Sequence, residues 1–286
     1  MSADGPSLLI AEHDNPHEFG VVTLNGNMIA AIQEKPSSHE SLGRVVSTGA
    51  IRCPVLWREV FESTVKVGLT GIPDAIRNLL DEDVKIEAIR TDTWVDVDHP
   101  WDLIDMNATL LNNIEHLVSE DADVHPSVVI RGNVHISENV VIHPGTVIDG
   151  PVHIGPNCDI GPMAVITGST TVGAGARIGP FSRIRSSFLM EDVQIDSGTW
   201  LQRSVIGPAS VLRSHVHVDV GETQKIGNSG EFIVRRLGLV TGEACTIGHG
   251  VVSAPGTILG SRVTVRRRVR ISGEHPSGSD IQSGGV

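Results

Sequence analysis

The chain has 286 residues and a hydrophobic fraction of 40%, which is enough for one large or two ordinary folded domains. Its formal net charge of −12 excludes a nonspecific binder of nucleic acid or anionic membrane, because binding phosphate requires clustered positive charge. Aromatic residues make up only 3% of the chain, Tyr is absent and there are 31 Gly, so small and aliphatic side chains must fill the core. This composition favours a narrow, repetitive β-architecture.

The cysteines and the apolar runs indicate the compartment. Cys53, Cys158 and Cys245 are too widely spaced for a disulfide framework or a zinc site, and they fit a reducing environment. The first residues carry no basic segment, and no stretch reaches the length of a membrane span. We therefore expect a cytoplasmic protein with no membrane or nucleic-acid partner.

Residues 1–118 carry the mixed pattern of an α/β segment. Two apolar runs flank Asn25-Gly26, a strong signal for a β-hairpin with a type I′ turn. Pro73 and Asp74 predict the start of a short helix that extends to about Leu80.

A longer helix is predicted from Pro100 onward, and it links the front segment to a second domain. Its apolar residues have the spacing that places them on one helix face. They are Ile104, Ala108, Leu111 and Ile114.

The second domain, predicted for residues 119–272, repeats with a period of six. An aliphatic residue occupies every sixth position: Val124, Ile130, Ile136, Ile142, Ile148, Ile154, Ile160, Ile166, Val172, Ile178, Ile184 and Met190. A small or β-branched residue follows most of these by four places, as Val128, Val134, Val140, Thr146, Val152, Cys158, Ala164, Thr170, Ala176 and Ser182 do. Three hexads make one triangular coil, and such coils stack about 4.8 Å apart in parallel sheets. The repeat therefore predicts a parallel β-helix with Gly, Pro and Asn at its corners.

The repeat becomes irregular after Met190. The next sixth position is Asp196, and Ile195 takes the apolar place one residue early. Residues 221–230 have almost no apolar periodicity, so we predict a loop that protrudes from the coils. The Ser- and Gly-rich residues 273–286 predict a disordered tail.

The hexads resemble those of hexapeptide-repeat proteins, and this resemblance implies a left-handed β-helix. A right-handed β-helix is the alternative, since periodicity alone does not fix the handedness. The front segment resembles the C-terminal half of the sugar-1-phosphate nucleotidylyltransferase domain, in particular that of archaeal-type bifunctional nucleotidylyltransferase/acetyltransferases. Five motifs in the family's order carry the resemblance: Phe19-Gly20-Val21-Val22, Glu34-Lys35-Pro36, Ser47-Thr48-Gly49-Ala50, Gly71-Ile72-Pro73-Asp74-Ala75 and Trp94-Val95-Asp96-Val97-Asp98-His99-Pro100.

The resemblance implies the formation of a nucleotide sugar and pyrophosphate from a nucleoside triphosphate and a sugar-1-phosphate, with Mg²⁺ as cofactor. Lys35 would bind the sugar phosphate, Glu34 would accept hydrogen bonds from sugar hydroxyls, and Asp96 would help to hold Mg²⁺. The backbone at Gly20 and Gly49 would approach the sugar ring. Without the family resemblance, these residues would be interpreted as a surface Glu-Lys turn, a carboxylate at the start of a helix and two loop glycines.

The front segment lacks one element of the family pattern. Family members have a glycine-rich loop that cradles the triphosphate, and no such loop precedes the strand at Ser7–Ile10. Backbone amides that bind phosphate cannot be replaced by the residues present. The sequence thus predicts that the N-terminal part of the catalytic domain is missing and that the isolated chain does not transfer a nucleotide.

A second active site is implied by the bifunctional relatives, whose β-helix transfers an acetyl group from acetyl-CoA with a His as base. At the aligned position this chain reads Asp196-Ser197-Gly198-Thr199-Trp200, which contains no His. His215 and His217 lie nearby and are predicted to face one side of a strand, with Asp219 orienting one ring; a structural role for both is the alternative. Arg235 and Arg236 resemble a basic stretch suited to the phosphates of coenzyme A.

The sequence is compatible with three functions. They are a partial sugar nucleotidylyltransferase, an acyltransferase that acts through the β-helix alone, and a noncatalytic oligomerisation or regulatory subunit. In each case we expect a homo-oligomer, a trimer by resemblance, because exposed parallel edges need to be covered.

Overall fold

The computed structural model describes residues 5–37, 43–59, 62, 72–226 and 232–282. It divides the chain into two compact units, residues 1–96 and residues 97–286. The linking helix, which is predicted as the end of residues 1–118, lies in the second of these units. The predicted fold class, a partial α/β segment followed by a left-handed parallel β-helix, is confirmed.

The front unit is a small barrel with a helix packed on it. Its strands β1 (Ser7–Glu12), β2 (Gly20–Asn25), β3 (Met28–Glu34), β4 (Val45–Arg52) and β5 (Glu87–Arg90) close in the order β1-β4-β2-β3-β5. Strands β1 and β5 are parallel, and their neighbours pair antiparallel. Short 3₁₀ turns span Pro16–Glu18 and Val55–Trp57.

Helix α1 (Ile72–Asp81) confirms the helix predicted at Pro73. Its residues Ile76 and Leu79 are buried in one apolar cluster with side chains of the barrel strands. The preceding Gly71 of the fourth motif lies outside the described residues.

The hairpin between β2 and β3 is confirmed, but its turn differs from the prediction. Asn25 pairs with Met28, so the two central residues are Gly26 and Asn27. Among these only Gly26 has a positive φ, at 63°. A type I′ turn requires positive φ at both central residues, so the hairpin uses a turn in which only the first central residue is left-handed.

The second unit is a triangular coil whose three sheets are parallel throughout. Face 1 contains the strands Asp123–Val124, Val141–Ile142, Asp159–Ile160, Arg177–Ile178, Gln194–Ile195, Val211–Leu212, Thr246–Ile247, Thr264–Val265 and Asp280–Ile281. Face 2 contains Val129–Arg131, Val147–Asp149, Val165–Thr167, Arg183–Arg185, Trp200–Gln202, His217–Val218, Val252–Ser253 and Arg270–Ile271. Face 3 contains Leu117–Val118, Val134–Ile136, Val152–Ile154, Thr170–Val172, Phe188–Leu189, Val205–Ile206, Leu239–Thr241, Thr257–Leu259 and Glu274–His275.

The interior of the coil is filled by the side chains that the hexads predict. Ile142, Ile160 and Ile178 stack on face 1, each in register with the next. The smaller residues between them, such as Thr146, Ala164 and Ser182, are also fully buried. Each inward side chain thus packs between the same positions of the coils above and below it, and one apolar cluster runs the length of the β-helix.

The register shifts earlier than predicted. Thr171 pairs with Phe188 and Val172 with Leu189, so Leu189 points inward and the predicted Met190 does not. The cause is a shorter corner between faces 2 and 3, where Ser186 alone, at a φ of 46°, occupies a position that takes two residues in the coil below. Shortening a corner by one residue leaves the strands paired. Each later inward residue then comes one position earlier in the sequence than the hexads predict.

Two further predictions for this unit were wrong. Residues of the predicted protruding loop form the first strand of an antiparallel hairpin, Gly221–Ile226 with Phe232–Leu237. Within the predicted disordered tail, Glu274–His275 and Asp280–Ile281 extend faces 3 and 1. Backbone pairing with the coil below orders these residues although their side chains are mostly polar. Residues 283–286 lie outside the described residues.

The linking helix, α2 (Asp102–Leu111), lies on face 3. The Asn107 amide donates to the carbonyl of Ser169 at 2.9 Å and accepts from the Thr171 hydroxyl at 2.6 Å. Trp101 and Ile104 pack with Val205 and other apolar residues of face 3 and the hairpin. Among the described residues, no helix combines the length and apolar character needed to cross a membrane.

The alternation of inward and outward residues makes a direct prediction. Ile247→Ala should lower the free energy of unfolding by about 2–5 kcal/mol, because it opens a cavity in a closed column. The neighbouring change Thr246→Ala, on the outer side of the same strand, should alter stability by less than about 0.5 kcal/mol. Urea denaturation followed by circular dichroism measures both free energies of unfolding. Equal decreases in the two variants would contradict the assignment of Ile247 to the inner side and Thr246 to the outer side.

Candidate functional site

Four of the five motifs of the front unit meet at Phe19-Gly20. The Phe19 carbonyl accepts the Lys35 N–H at 3.0 Å, and the Phe19 and Trp94 rings lie edge to face with centroids 5.2 Å apart. A methyl group added at Gly20 would lie 3.0 Å from Cγ of Pro73 and 3.2 Å from Oε2 of Glu34. Side chains from distant parts of the sequence therefore surround one glycine.

Glu34 and Lys35 stand at the end of β3, beside that glycine. Glu34 pairs with Gly20 across the β2–β3 ladder. Lys35 adopts a positive φ of 39°, which ends the strand by turning the chain away from its partner. Both side chains are exposed, so a carboxylate and an ammonium group remain accessible to a ligand at this edge.

Gly49 occupies a bulge in β4. Leu8 pairs with Ile51 and Ile10 pairs with Ser47, so β4 carries two more residues than β1 between these points. Gly49 takes a φ of 80°. A Cβ atom added to it would have no other described heavy atom within 4 Å. The Thr48 hydroxyl fixes the bulge by donating to the Leu9 carbonyl at 2.9 Å. The third motif therefore exposes its backbone at Gly49.

Asp96 is exposed and follows Trp94 by two residues. Within the described part of the chain, no three His, Cys, Asp or Glu side chains are grouped as metal ligands. Mg²⁺ commonly takes only one or two protein carboxylates and completes its shell with water and substrate phosphates. Asp96 is a hard oxygen donor, so it fits the part of a single carboxylate ligand.

His13 belongs to this site and was not predicted. Its ring contacts the rings of Phe19 and Trp94 at centroid distances of 4.6 and 6.0 Å. It lies where β1 and β5 end in parallel, and the two strand ends line a cleft of about 250 Å³. Arg90 and Glu12 form an ion pair of 3.3 Å at its rim. No local pattern marks His13, because its partners come from other segments of the chain.

The two histidines predicted in the β-helix do not share a strand face. His215 occupies a corner with a φ of 59°, and its ring contacts that of His249 at 5.5 Å. His217 begins the next strand of face 2, and its Nε2 lies 3.3 Å from Oδ1 of Asp219. The prediction that both histidines face one side was wrong because the corner at His215 interrupts the strand, whereas a contact between one ring and Asp219 is present.

His217 lies one coil above Trp200, the last residue of the stretch 196–200 that contains no His. It pairs with Trp200, and the two rings meet edge to face at 5.3 Å. The guanidinium of Arg183 lies over the same indole at 5.1 Å. Arg270 donates to Asp219 at 3.2 Å. The outer side of face 2 thus carries a histidine with a neighbouring carboxylate and two cationic groups.

Arg235 and Arg236 diverge on the hairpin. Arg235 is partly buried and its Nε has no hydrogen-bond partner within the described residues, whereas Arg236 is exposed. Lys225, on the same side of the hairpin as Arg235, is buried, and its Nζ donates to the Gly256 carbonyl at 2.8 Å and to Glu274 at 3.1 Å. Because side chains alternate along a strand, Arg235 and Arg236 point to opposite sides of the hairpin. The two arginines therefore do not bind the same phosphate together.

The buried cysteines offer no nucleophile. Burial raises the pKa of Cys158 to about 11, and burial also raises the pKa of Cys245. Both thiols are therefore protonated at neutral pH and serve as small core residues.

Comparison with known protein families separates the two units. Residues 2–113 match the family model described as nucleotidyl transferase, and residues 148–275 match the model described as the GMPPB C-terminal domain. The front segment is thus similar to the nucleotidyl transferase family. The five motifs that suggested this family all lie within the matched residues.

Similar curated proteins join the same two parts. A bifunctional protein GlmU of Methanocaldococcus jannaschii is 31% identical over 267 residues, which cover 89% of this chain and 64% of the relative. A GlmU of Methanococcus maripaludis is 36% identical with the same coverage of both chains. A bifunctional sugar-1-phosphate nucleotidylyltransferase/acetyltransferase of Sulfurisphaera tokodaii is 30% identical over 130 residues, covering 43% of this chain and 30% of the relative. The resemblance to archaeal bifunctional proteins is confirmed, and the chain spans about two thirds of the length of the GlmU relatives.

The crowding at Gly20 gives a stability prediction. Gly20→Ala should lower the free energy of unfolding of the front unit by about 1–3 kcal/mol, because the new methyl group forces Pro73 or the Glu34 carboxylate to move. Gly43→Ala, at a position with open space around it, should have no comparable effect. Denaturation of both variants decides the matter, and an unchanged midpoint for Gly20→Ala would show that the motifs are not packed around this residue.

Proposed function

We propose that the front unit is the sugar-phosphate-binding part of a nucleotidylyltransferase site. The observation that supports this proposal is the convergence of the Glu34-Lys35 and Trp94–Asp96 motifs on Phe19-Gly20. Glu34 accepts hydrogen bonds from sugar hydroxyls, and the Lys35 ammonium binds the sugar phosphate as a point charge. The open backbone at the Gly49 bulge leaves room for the sugar ring, whereas Gly20 is buried beneath Pro73 and Glu34 and supports the site from below.

The proposed reaction is an in-line displacement at phosphorus. A phosphate oxygen of the sugar-1-phosphate attacks the α-phosphorus of a nucleoside triphosphate, the bond from that phosphorus to the bridging oxygen breaks, and pyrophosphate leaves. Lys35 offsets charge on the attacking phosphate. Mg²⁺, held in part by Asp96, supplies charge neutralisation at the phosphoryl group when it is bound.

Binding is the appropriate test, because the glycine-rich triphosphate loop of the family is not found in the 286 residues. Lys35→Met should weaken the binding of sugar-1-phosphates at least tenfold, since it removes a charge-assisted contact while keeping the side chain's length. Isothermal titration of the full chain with a panel of sugar-1-phosphates measures the effect. Lys85→Met, at another exposed lysine of the same unit, is the matched control.

Two outcomes would reject the sugar-phosphate site. One is that none of the sugar-1-phosphates binds to the unaltered chain at millimolar concentration. The other is that Lys35→Met and Lys85→Met weaken binding equally, since this would mean that general charge and not this site attracts the phosphate.

A second candidate function is acyl transfer on face 2. The specific observation in its favour is the contact of His217 with Asp219, one coil from the aligned position at Trp200. In such a reaction the acceptor amine attacks the acetyl-CoA thioester carbon, the thiolate of coenzyme A leaves, and His217 takes the proton from the amine. Asp219 would orient the imidazole.

Acetyl-CoA should raise the midpoint of thermal unfolding if this second site exists. With the ligand at about 100 times its Kd the stabilisation is about 2.7 kcal/mol, which is a shift of about 5–11 °C for a unit of this size. His217→Asn should abolish acetyl transfer to an amino-sugar phosphate while His249→Asn retains it. The absence of any shift with acetyl-CoA would remove this candidate and leave the noncatalytic subunit.

We also propose that the chain forms homo-oligomers through its β-helix, with the trimer as the form that the family resemblance indicates. The support is the fold itself, whose outer faces repeat in register and whose outermost strands, among the described residues, have one unpaired parallel edge each.

A further inference from the structure

Two buried N–H groups of the second unit lack an acceptor. Trp101 is only 7% exposed, and its Nε1–H donates to no atom of the described residues. The Nε of Arg235, on the hairpin, is also buried and has no acceptor within the described part of the chain. Nearly all buried donors in proteins are paired, because an unpaired one loses its hydrogen bond to water without a replacement. Two such groups in one region therefore point to a ligand that accepts hydrogen bonds.

The pairing of the hairpin brings both groups beside Lys225. Arg235 pairs with Thr223, and Lys225 follows Thr223 by two residues on the same strand. Arg235 and Lys225 therefore project from one side of the hairpin as diagonal neighbours, a separation that long side chains span. The Nζ of Lys225 lies 5.9 Å from the centre of the Trp101 ring. Leu237, which is on the same side as Arg235, packs in one apolar cluster with Trp101.

The packing around Trp101 holds its indole in place. The ring of His99 stacks on it with centroids 4.5 Å apart and an angle of 15° between the ring planes. The His99 N–H donates to Oδ2 of Asp102 at 2.8 Å, which ties the stacked pair to the first turn of α2. Trp101 is also buried against Val240 and Leu237. The indole cannot turn its N–H towards water without leaving these contacts.

The region between the hairpin and the start of α2 carries an excess of positive charge. Lys225 is 6% exposed, and its ammonium group pairs with the Glu274 carboxylate at 3.1 Å, so these two charges cancel. Arg235 is partly buried and forms no ion pair within the described residues, where its Nη1 donates only to the Val234 carbonyl at 3.2 Å. A charge withdrawn from water is unfavourable without a counter-charge. An anion would supply that counter-charge.

We propose that the Nε1–H of Trp101 and the Nε–H of Arg235 bind a monatomic anion, of which chloride is the common example. The anion accepts both hydrogen bonds and balances the charge of Arg235. Because both nitrogens are buried, an anion of one atom fits between them better than a phosphate group with four oxygens. The bound anion joins the hairpin to the residue that precedes α2.

A buried water molecule is the competing explanation. Water can also accept two hydrogen bonds, but it needs acceptors for its own two hydrogens. The acceptors beside Lys225 are the Gly256 carbonyl and the Glu274 carboxylate, and both already accept from its Nζ. The groups that remain unpaired, on Trp101 and Arg235, are donors only. This set of groups favours an anion over water.

The indole N–H signals of the full chain test the proposal directly. The chain has four Trp, so its ¹H–¹⁵N spectrum contains four indole signals, and Trp101→Phe identifies one of them by removing it. Sodium chloride that replaces sodium gluconate at constant ionic strength should shift the Trp101 signal until it saturates. The signal of Trp57, in the front unit, should stay in place. A Trp101 signal that does not respond to chloride would overturn the proposal.

The two adjacent arginines provide a matched pair of variants for the same titration. Arg235→Met should weaken chloride binding at least tenfold, because it removes both the Nε–H and the unbalanced charge. Arg236→Met removes an exposed guanidinium from the opposite side of the hairpin and should leave the affinity unchanged. Equal weakening by both variants would mean that general charge attracts chloride, which would overturn the proposal. Lys35→Met should bind chloride like the unaltered chain, since the anion site lies in the second unit and is independent of the proposed sugar-phosphate site.

Anomalous scattering from crystals grown in sodium bromide gives a second measurement that requires no variant. We expect a bromide peak within hydrogen-bond distance of the Trp101 Nε1 and the Arg235 Nε. A water molecule at this position, without an anomalous peak, would overturn the proposal. A bromide peak without a saturable shift in solution would mean binding at crystal concentration only and would also overturn it. The same holds for a Trp101 signal that responds to phosphate and not to chloride, because the ligand would then not be monatomic.

Discussion

The stacking of equal coils is the constraint on which the second unit depends. Each short strand finds its backbone partners only in the coils below and above, so all coils must place their corners in line. The inward side chains then fall into columns, and a column such as Ile142, Ile160 and Ile178 buries each member between two others. Burial of an isoleucine side chain is worth about 1.5–3 kcal/mol, which offsets the roughly 1–3 kcal/mol of strain in a left-handed corner residue. Corners can therefore vary in sequence while the columns cannot.

The same constraint explains what the sequence could and could not predict. The regular coils were predictable because Ile136 through Ile184 repeat at a fixed step and each repeat uses the same local chemistry. Leu189 replaced Met190 as the inward residue because Ser186 shortened a corner, and a corner's length leaves little mark on composition. The residues after Gly273 look disordered in isolation, yet Glu274 and Asp280 gain backbone partners from a coil that is already ordered.

The front unit contains contacts that local sequence patterns do not predict. Glu34, Lys35 and Gly49 are proposed because the family resemblance marks them, and the bulge at Gly49 gives a physical reason for its glycine. His13 was missed because its contacts with Phe19 and Trp94 exist only after the barrel has closed. Contacts that join distant segments carry no short-range signal, so a site assembled from strand ends cannot be completed from sequence patterns alone.

Outward positions of a β-helix are the part of the sequence that folding leaves free. A coil needs its inward columns and its backbone pairing, but it places no demand on which side chains face outward at Val165 or Arg183. An apolar or charge-balanced outward column is therefore information about contacts beyond the coil. On face 3 the helix at Asn107 already provides such a contact through Thr171. On face 2 the exposed Val129 and Trp200 have no comparable cover within the second unit as described.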